Sequence, residues 1–240
     1  MAGSYGHTVK AFDDDLSQLR AMVSEMGGRA EQAVSDAIEA LMRRDLDAAQ
    51  RVVAEDREID RLEMDIERQV VRLIALRAPM ADDLREVVAA LKIAGVVERM
   101  GDYAKNIAKR VPLLAEAGPI GPMSILPAMG REVSSMVRDV LDAFSARDAA
   151  RALEAGARDA QVDDLYNALF RALLTYMMEN PHSITPSAHL LFVAKNIERI
   201  GDHCTNIAEM IHFAVTGDQP PERPRGGASI YTDDVSQAEG

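Results

Sequence analysis

The chain is poor in cysteine, in aromatic residues and in positive charge, and each deficit disfavours a class of protein. The single cysteine, Cys204, excludes an internal disulfide, and a reducing compartment such as the cytoplasm is the expected location. Tryptophan is absent, and aromatic residues make up 4% of the 240 residues. The net charge is −12 and the pI is near 4.9. Binding to nucleic acid or to an anionic membrane surface is therefore not expected, because both need a basic surface.

Long apolar runs and familiar catalytic motifs are also missing. No window approaches roughly 18 uninterrupted apolar residues, so no membrane-spanning segment is expected. The N-terminal residues lack the apolar run of a secretory signal. The sequence contains no P-loop, no G-x-S-x-G and no dinucleotide-binding fingerprint. We therefore expect that the chain is not an enzyme and that it meets a membrane only through partners.

Helix-forming residues are abundant, and apolar residues recur at helical spacing, which predicts an all-α fold. Long helices are expected near residues 8–44, 45–78, 81–115, 124–146, 148–180 and 184–216. Gly27 and Gly28 predict an irregularity in the first of them, and Pro112 predicts a bend or an end in the third. Asp45 is a plausible N-cap of the second helix. The expected core stripe of that second helix is Ile59, Leu62, Ile66, Val70 and Leu73.

One stretch of sequence, the duplicated phrase, occurs twice in the chain. ERMGDYAKNIA at residues 98–108 returns as ERIGDHCTNIA at 198–208, and 9 of 18 positions are identical between 91–108 and 191–208. Upstream, matching residues lie 103 apart, as in Arg44–Asp45 and Arg147–Asp148. The sequence therefore predicts two tandem three-helix bundles related by an internal repeat. The predicted boundaries are a flexible N-terminus at 1–7, a first bundle at 8–115, a linker at 116–122, a second bundle at 123–216 and a disordered tail at 217–240.

Pairs of acidic residues four apart occupy matching places in the two repeats. Chance alone would give about six such pairs in a chain of this composition, so their duplication carries the argument. Helical geometry puts the pair at 98 and 102 on the same face as Leu84, Val87 and Leu91, where carboxylates are costly unless they are paired or bind a cation. The residues are Asp56, Asp60, Glu98, Asp102, Asp159, Asp163, Glu198 and Asp202.

Two interpretations of these acids remain open from the residues alone. Asn106 and Asn206 continue the rows with amide oxygens, and carboxylates with amides suit hard cations such as magnesium, calcium or manganese, or iron in carboxylate-rich bundles. Alternatively, Arg99 and Arg199 neutralise the carboxylates through cross-helix ion pairs, and no metal is needed. The glycines at 101 and 201 are expected to allow close helix approach.

Other metal-binding patterns are weaker. A ferritin-like centre needs Glu-x-x-His on two helices. Glu209 with His212 has that spacing, as does Glu179 with His182, but neither pair lies in the duplicated frame. The lone Cys204 has no zinc-like partner and is expected to be a packed small residue.

The duplicated E-R-x-G-D-x-x-x-N-I, together with MGG at 26–28, ADDLR at 81–85, VLDAF at 140–144 and LLTYMMEN at 173–180, resembles the PhoU family over nearly the whole chain up to about residue 216. The resemblance implies two similar three-helix bundles. It also implies that the eight acidic residues are metal ligands, with iron, zinc, magnesium or manganese as possible ions. Asp82 and Asp83 correspond to His182 and Ser183 in the second repeat, so the two sites are expected to differ.

The same resemblance implies a function. A PhoU-like protein is expected to be a negative regulator of phosphate uptake and of the phosphate-starvation response. It would act as an adaptor between the ATPase subunit of the phosphate ABC transporter and a sensor histidine kinase, and as a homodimer. A metal-dependent helical-bundle enzyme, such as a hydrolase or an oxidase, and a plain helical scaffold are the alternatives.

Overall fold

The computed structural model describes residues 3–220, with side chains from residue 11 onward, and this part of the chain is helical without a strand. The all-α prediction is confirmed. The α-helices are α1 (Gly3–Arg43), α2 (Leu46–Arg77), α3 (Ala81–Ala108), α4 (Val111–Ala115), α5 (Leu126–Ala146), α6 (Ala149–Ala157), α7 (Asp159–Glu179) and α8 (Ile184–Thr216). Short 3₁₀ helices lie at Gly121–Ile125 and Pro181–Ser183. Between residues 3 and 220, no helix combines the length and the apolar character that a bilayer crossing needs.

The helices form two bundles that pack side by side. In the first, α1, α2 and α3 contact one another, and in the second α5, α6, α7 and α8 repeat that arrangement. The bundles meet where α1 packs against α5 and α3 packs against α8. The predicted tandem repeat is thus present. Of the predicted terminal segments, residues 1–2 and 221–240 lie outside the described part.

Matching glycines hold the α1–α5 contact close. A methyl group at Gly27 would lie 1.9 Å from the Cδ1 atom of Leu141, and one at Gly130 would lie 2.4 Å from the Cδ1 atom of Ile38. Both pairs obey the 103-residue register, so the contact is nearly two-fold symmetric. The prediction of an irregularity at Gly27 and Gly28 is wrong, because α1 runs through them without interruption. The Gly27 position serves helix packing and not a bend.

Matching caps begin the second helix of each bundle. The side chain of Asp45 accepts a hydrogen bond of 2.9 Å from the backbone N–H three residues later, and Asp148 does the same at 3.0 Å. The preceding residues, Arg44 and Arg147, have left-handed φ values of 56° and 55°. The prediction of Asp45 as an N-cap is confirmed, and the turn geometry is copied in both repeats.

Two predicted helices are divided in the structure. The third ends at Ala108 and resumes as α4 at Val111, with Pro112 in its first turn as expected of a residue without a backbone donor. The fifth, expected as one helix over 148–180, is broken at Arg158 between α6 and α7. The hydrogen bonds tighten there to the i−3 pattern, since the N–H of Arg158 bonds to the carbonyl of Ala155.

The core stripe of α2 is confirmed, whereas the predicted face of α3 is partly wrong. All five apolar residues predicted for α2 are buried. On α3, Val87 is buried, but Leu84 and Leu91 are 39% and 36% exposed. The cause is that α3 packs against α1, α2 and α8 at once, so its small residues, such as Ala90 and Ala94, face the core.

Candidate functional site

The eight predicted acidic residues come together as two clusters, one in each bundle. The first acidic cluster lies between α2 and α3 and contains Asp56, Asp60, Glu98 and Asp102. The second acidic cluster lies between α7 and α8 and contains Asp159, Asp163, Glu198 and Asp202. Each cluster thus joins one acidic pair from each of two neighbouring helices.

The glycine of each duplicated phrase makes room for an acid of the neighbouring helix. A methyl group at Gly101 would lie 2.9 Å from the Cδ1 atom of Ile59 and 3.6 Å from a carboxylate oxygen of Asp56. A methyl group at Gly201 would lie 2.4 Å from a carboxylate oxygen of Asp159. Only glycine allows the two helices to approach so closely at these points. Each glycine thus brings the acids of two helices into one cluster.

Burial, reinforced by repulsion between carboxylates, raises the pKa values of Glu98 and Asp60 in the first acidic cluster. The pKa of Glu98 rises to about 7, because burial disfavours its charge and because Asp102, Glu63 and Asp60 repel it. Burial, followed by repulsion from Asp56, also raises the pKa of Asp60. Glu63, one turn beyond Asp60, has a raised pKa mainly through burial and belongs to the same electrostatic group. The cluster therefore carries more carboxylates than it can comfortably ionise.

A lysine lies inside the first acidic cluster. The Nζ atom of Lys105 donates to a carboxylate oxygen of Asp56 and, at 2.8 Å, to one of Asp102. These hydrogen bonds, that of Asp102 first, raise the pKa of Lys105. Because Asp56 is only 5% exposed, the ammonium group is its main source of charge compensation.

The second acidic cluster also contains a lysine. Lys195 donates to one carboxylate oxygen of Glu198, whose side chain is 11% exposed. The other oxygen of Glu198 is buried and has no hydrogen-bond partner among the described residues. Burial raises the pKa of Glu198, partly offset by the hydrogen bond from Lys195 and reinforced by Asp202. Burial, followed by repulsion from Asp202, raises the pKa of Asp163.

The two lysines are not repeat-equivalent. The counterpart of Lys105 is Thr205, which donates a hydrogen bond of 3.0 Å to the carbonyl of Gly156, beside the break in the second bundle. The counterpart of Lys195 is Gly95, where a methyl group would lie 3.4 Å from a carboxylate oxygen of Glu63. The acids are duplicated, but each repeat compensates them from a different position, so the clusters are chemically distinct.

The arginines of the duplicated phrase do not have the role that the ion-pair interpretation gave them. The ion pairs with the clustered acids are made by Lys105 and Lys195, whereas Arg99 and Arg199 form no ion pair within residues 11–220. The interpretation is correct that cations are nearby, but wrong in the residues that supply them. The lysine spacing, three residues from Asp102 and three from Glu198, was visible in the sequence.

The remaining candidates lie apart from the clusters. His212 contacts the carbonyl of Asp218 near the end of α8, and His182 lies in the exposed 3₁₀ helix that begins with Pro181. The Asn206 amide lies 3.5 Å from the Nδ1 atom of His203. Cys204 is fully buried, and burial raises its thiol pKa, which confirms its packing role.

The clusters fit a hard cation by donor chemistry. All of their acidic side chains are carboxylates, which are ligands that hard cations prefer, and several have raised pKa values. One buried oxygen of Glu198 has no hydrogen bond among the described residues. In residues 11–220, however, no three Asp, Glu, His or Cys side chains are arranged as a ready coordination sphere. A metal ion at either cluster would therefore require the side chains to rearrange around the lysines.

The fold and the site together define a class: a duplicated three-helix protein with paired acidic clusters and no recognisable catalytic motif. The PhoU domain model matches residues 23–111 and again 126–211. The chain belongs to the PhoU family.

Relatives agree with this assignment. The phosphate-specific transport system accessory protein PhoU homologue of Zymomonas mobilis is 58% identical, over 94% of this chain and 95% of the relative. The protein of the same name from Caulobacter vibrioides is 53% identical over 91% and 96%. These names describe an accessory protein, and on that ground the expectation that the chain is not an enzyme is confirmed.

Solved structures show the same architecture. PhoU from Pseudomonas aeruginosa superposes with a TM-score of 0.82 at 38% identity, covering 86% of this chain and all of that one. The phosphate transport system regulatory protein PhoU from Streptococcus pneumoniae gives a TM-score of 0.82 at 30% identity, covering 88% and 100%.

Proposed function

We propose that this protein is a cytoplasmic negative regulator of phosphate uptake and of the phosphate-starvation response. It would act as an adaptor between the ATPase subunit of a phosphate ABC transporter and a sensor histidine kinase, and as a homodimer. The observation that carries the proposal is the pair of acidic clusters at matching positions of a twice-repeated PhoU domain. The names of the relatives supply the link to phosphate transport.

We further propose that the clusters bind metal ions, with iron, zinc, magnesium or manganese as candidates. The ligands would be the four acids of each cluster, and a bound cation would neutralise carboxylates that repel one another. Two features of the clusters come from the protein's own side chains. The acids of α2 and α3, and those of α7 and α8, join neighbouring helices, and Lys105 and Lys195 supply a smaller positive charge. The metal would thereby fix the helix faces that partners contact.

The genetic test is deletion of the gene, followed by an alkaline phosphatase assay in phosphate-rich medium. We expect high phosphatase activity in the deletion strain and low activity when the wild-type gene is restored. Low activity in the deletion strain of an organism with no second copy would refute the regulatory role.

The same strain tests the clusters. We expect a copy with Glu98→Ala and Glu198→Ala to leave phosphatase activity high. The matched control changes two exposed acids outside the clusters, Glu55 and Glu154, to alanine, and we expect it to repress like the wild type. Equal protein levels on an immunoblot are required in both strains. Full repression by the cluster variant would show that regulation does not use the clusters.

One observation favours a second function for the clusters, that of a metal-free structural scaffold. Lys105 already compensates Asp56 and Asp102 without any metal. Titration of the purified protein with Mn²⁺, followed by electron paramagnetic resonance of the free ion, separates the two functions. Uptake that is lost in the Glu98→Ala and Glu198→Ala variant supports metal binding. No uptake by the wild type supports the scaffold.

A further inference from the structure

The contact between α3 and α8 is an antiparallel seam that relates the two repeats. Near the start of α3, the Nε atom of Arg85 lies 3.5 Å from the carbonyl oxygen of Ala214, close to the end of α8. Beyond the end of α3, the guanidinium carbon of Arg110 lies 4.7 Å from the ring centre of Phe192, close to the start of α8. The duplicated phrases therefore cross each other in the middle of the seam.

At the crossing, the repeat-equivalent residues Tyr103 and His203 stack. Their ring centres are 5.5 Å apart with an interplanar angle of 14°. The tyrosine hydroxyl lies 3.3 Å from the Nε2 atom of His203, and the amide of Asn206 lies 3.5 Å from the Nδ1 atom. Both rings are half-buried, so the stack is part of the contact between the two repeats.

Arg99 and Arg199 occupy repeat-equivalent positions beside this stack, and Arg199 reaches the ring of the opposite helix. The guanidinium carbon of Arg199 lies 5.9 Å from the ring centre of Tyr103. Burial lowers the pKa of His203, and the positive charges of Arg99 and, to a smaller extent, Arg199 lower it further, against an opposing effect of Asp202. Arg99 lies one helical turn before Tyr103 on α3, and Arg199 lies one turn before His203 on α8, so the stacked rings bring both arginines to the same part of the seam.

The two arginines form no ion pair with the neighbouring carboxylates in the described residues. Asp102 is bonded to Lys105 and Glu198 to Lys195, while Arg99 and Arg199 remain exposed and without an ion pair in the part of the chain whose side chains are described. Each guanidinium group carries five N–H donors in a rigid fork that matches the oxygens of a phosphate group. A chain with a net charge of −12 thus presents, on one seam, two exposed guanidinium groups without an ion pair in the described residues.

We propose that Arg99 and Arg199 form an oxyanion site on the α3–α8 seam, and that its ligand is a phosphate group held between the two guanidinium groups above the Tyr103–His203 stack. The choice of phosphate rests on the proposed function in phosphate regulation, whereas the oxyanion chemistry rests on the arginines. The site gives the regulator a direct contact with the compound whose uptake it restrains. The phosphate group is either free inorganic phosphate or a phosphoryl group carried by a partner protein.

The test is calorimetric titration of inorganic phosphate into the full chain at low ionic strength, where charge interactions are least screened. We expect one site per chain and a loss of at least about tenfold in affinity for Arg99→Met and for Arg199→Met, since hydrogen bonds to charged groups are among the stronger ones. The matched control is Arg131→Met, an exposed arginine of α5 without an ion pair in the described residues, and we expect it to bind like the wild type. Circular dichroism confirms that each variant is folded.

A second readout locates the ligand. The imidazole signals of His203 in a two-dimensional NMR spectrum should move on addition of phosphate to the wild type and stay fixed in the Arg99→Met, Arg199→Met double variant. If the wild type binds neither inorganic phosphate nor phosphoserine, or if Arg131→Met loses as much affinity, the proposal is overturned, because the interaction is then absent or a diffuse charge effect. Equal binding of glutamate would overturn it as well.

Phosphoserine distinguishes the two sources of the phosphate group. Binding of inorganic phosphate supports a free ligand, and binding of phosphoserine alone supports a phosphoryl group on a partner. The phosphatase assay in the deletion strain remains a separate test. A wild type that represses phosphatase but does not bind either compound refutes this inference and leaves the proposed function standing.

Discussion

Replacement of Lys105 by methionine tests whether the first acidic cluster depends on its internal cation. The lysine bonds to Asp56, which is 5% exposed, and to Asp102, which is 43% exposed. Breaking a buried ion pair costs about 3–5 kcal/mol, whereas an exposed pair contributes at most about 1 kcal/mol. Lys105 itself is 24% exposed, so we expect an intermediate loss of about 2–3 kcal/mol in the free energy of unfolding.

The assay is thermal unfolding in the presence of EDTA. For a chain of this length, a loss of that size lowers the melting temperature by roughly 4–12 °C. The exposed Lys109, which has no ion pair among the described residues, provides the matched Lys109→Met control, expected to change stability by less than about 0.5 kcal/mol. Addition of Asp56→Asn to Lys105→Met should recover part of the loss, since it removes the uncompensated charge.

Divalent cations extend the same experiment. Without the ammonium group, four carboxylates remain to attract a cation, so millimolar Mg²⁺ or Mn²⁺ should stabilise Lys105→Met more than it stabilises the wild type. The reasoning is refuted if Lys105→Met has the same melting temperature as the wild type in EDTA. It is also refuted if Asp56→Asn adds a further loss of equal size, because the lysine would then not be the partner of Asp56.

Three other predictions use the same unfolding assay. Glu98→Gln should stabilise the metal-free protein by about 1–2 kcal/mol at pH 8, after allowance for solvent screening, but hardly at pH 5. The reason is that the pKa of Glu98 in the folded protein, about 7, lies above the ordinary 4.5, so the wild type loses stability as the pH rises through that interval. A gain of equal size at both pH values would contradict this. Gly27→Ala should destabilise by about 1–3 kcal/mol through its clash with Leu141, whereas Gly28→Ala, with no atom within 4 Å of the added methyl group, should stabilise by up to about 1 kcal/mol; the same sign for both would refute the packing argument. Glu86→Ala should cost about 2–3 kcal/mol, because this buried carboxylate is bonded by an arginine of α1 and by one that follows α5, and the two arginines that lose their partner are 25% and 40% exposed. A loss below about 1 kcal/mol would show that Glu86 does not join the two bundles.

The helices and their duplication could be predicted because both depend on local sequence. Caps such as Asp45 and the apolar period of α2 act within a few residues, and the 100- and 103-residue registers are visible by direct comparison. The break at Arg158 was missed because its cause is distant: the carbonyl of Gly156 accepts a hydrogen bond from Thr205 on another helix. The exposed Leu84 was missed for a similar reason, since three neighbouring helices decide which face of α3 is buried.

The acidic residues could be predicted from their spacing and duplication, but their compensation could not be assigned. The ion-pair interpretation assigned the compensation to Arg99 and Arg199 and did not include Lys105, which lies three residues after Asp102. The structure separates them, because Lys105 points to Asp56 across 49 residues of chain while Arg99 lies on the α3–α8 seam. A contact of that kind depends on the rotation of α3 relative to α2, which the helical period of one segment does not fix.

The residues of the duplicated phrase have different roles, and together these roles explain why it occurs twice. Glycine in a helix costs about 1 kcal/mol relative to alanine, yet Gly101 and Gly201 admit the acids of the adjacent helix. The clustered carboxylates repel one another, and each repeat offsets that repulsion with a lysine from a different position. Because the ion pairs with the clustered acids come from the lysines, the arginine of each phrase is left for the seam. If the acids and the arginines had neutralised each other, neither the proposed cation site nor the proposed anion site could form, so both proposals depend on the lysines that pair with the acids instead.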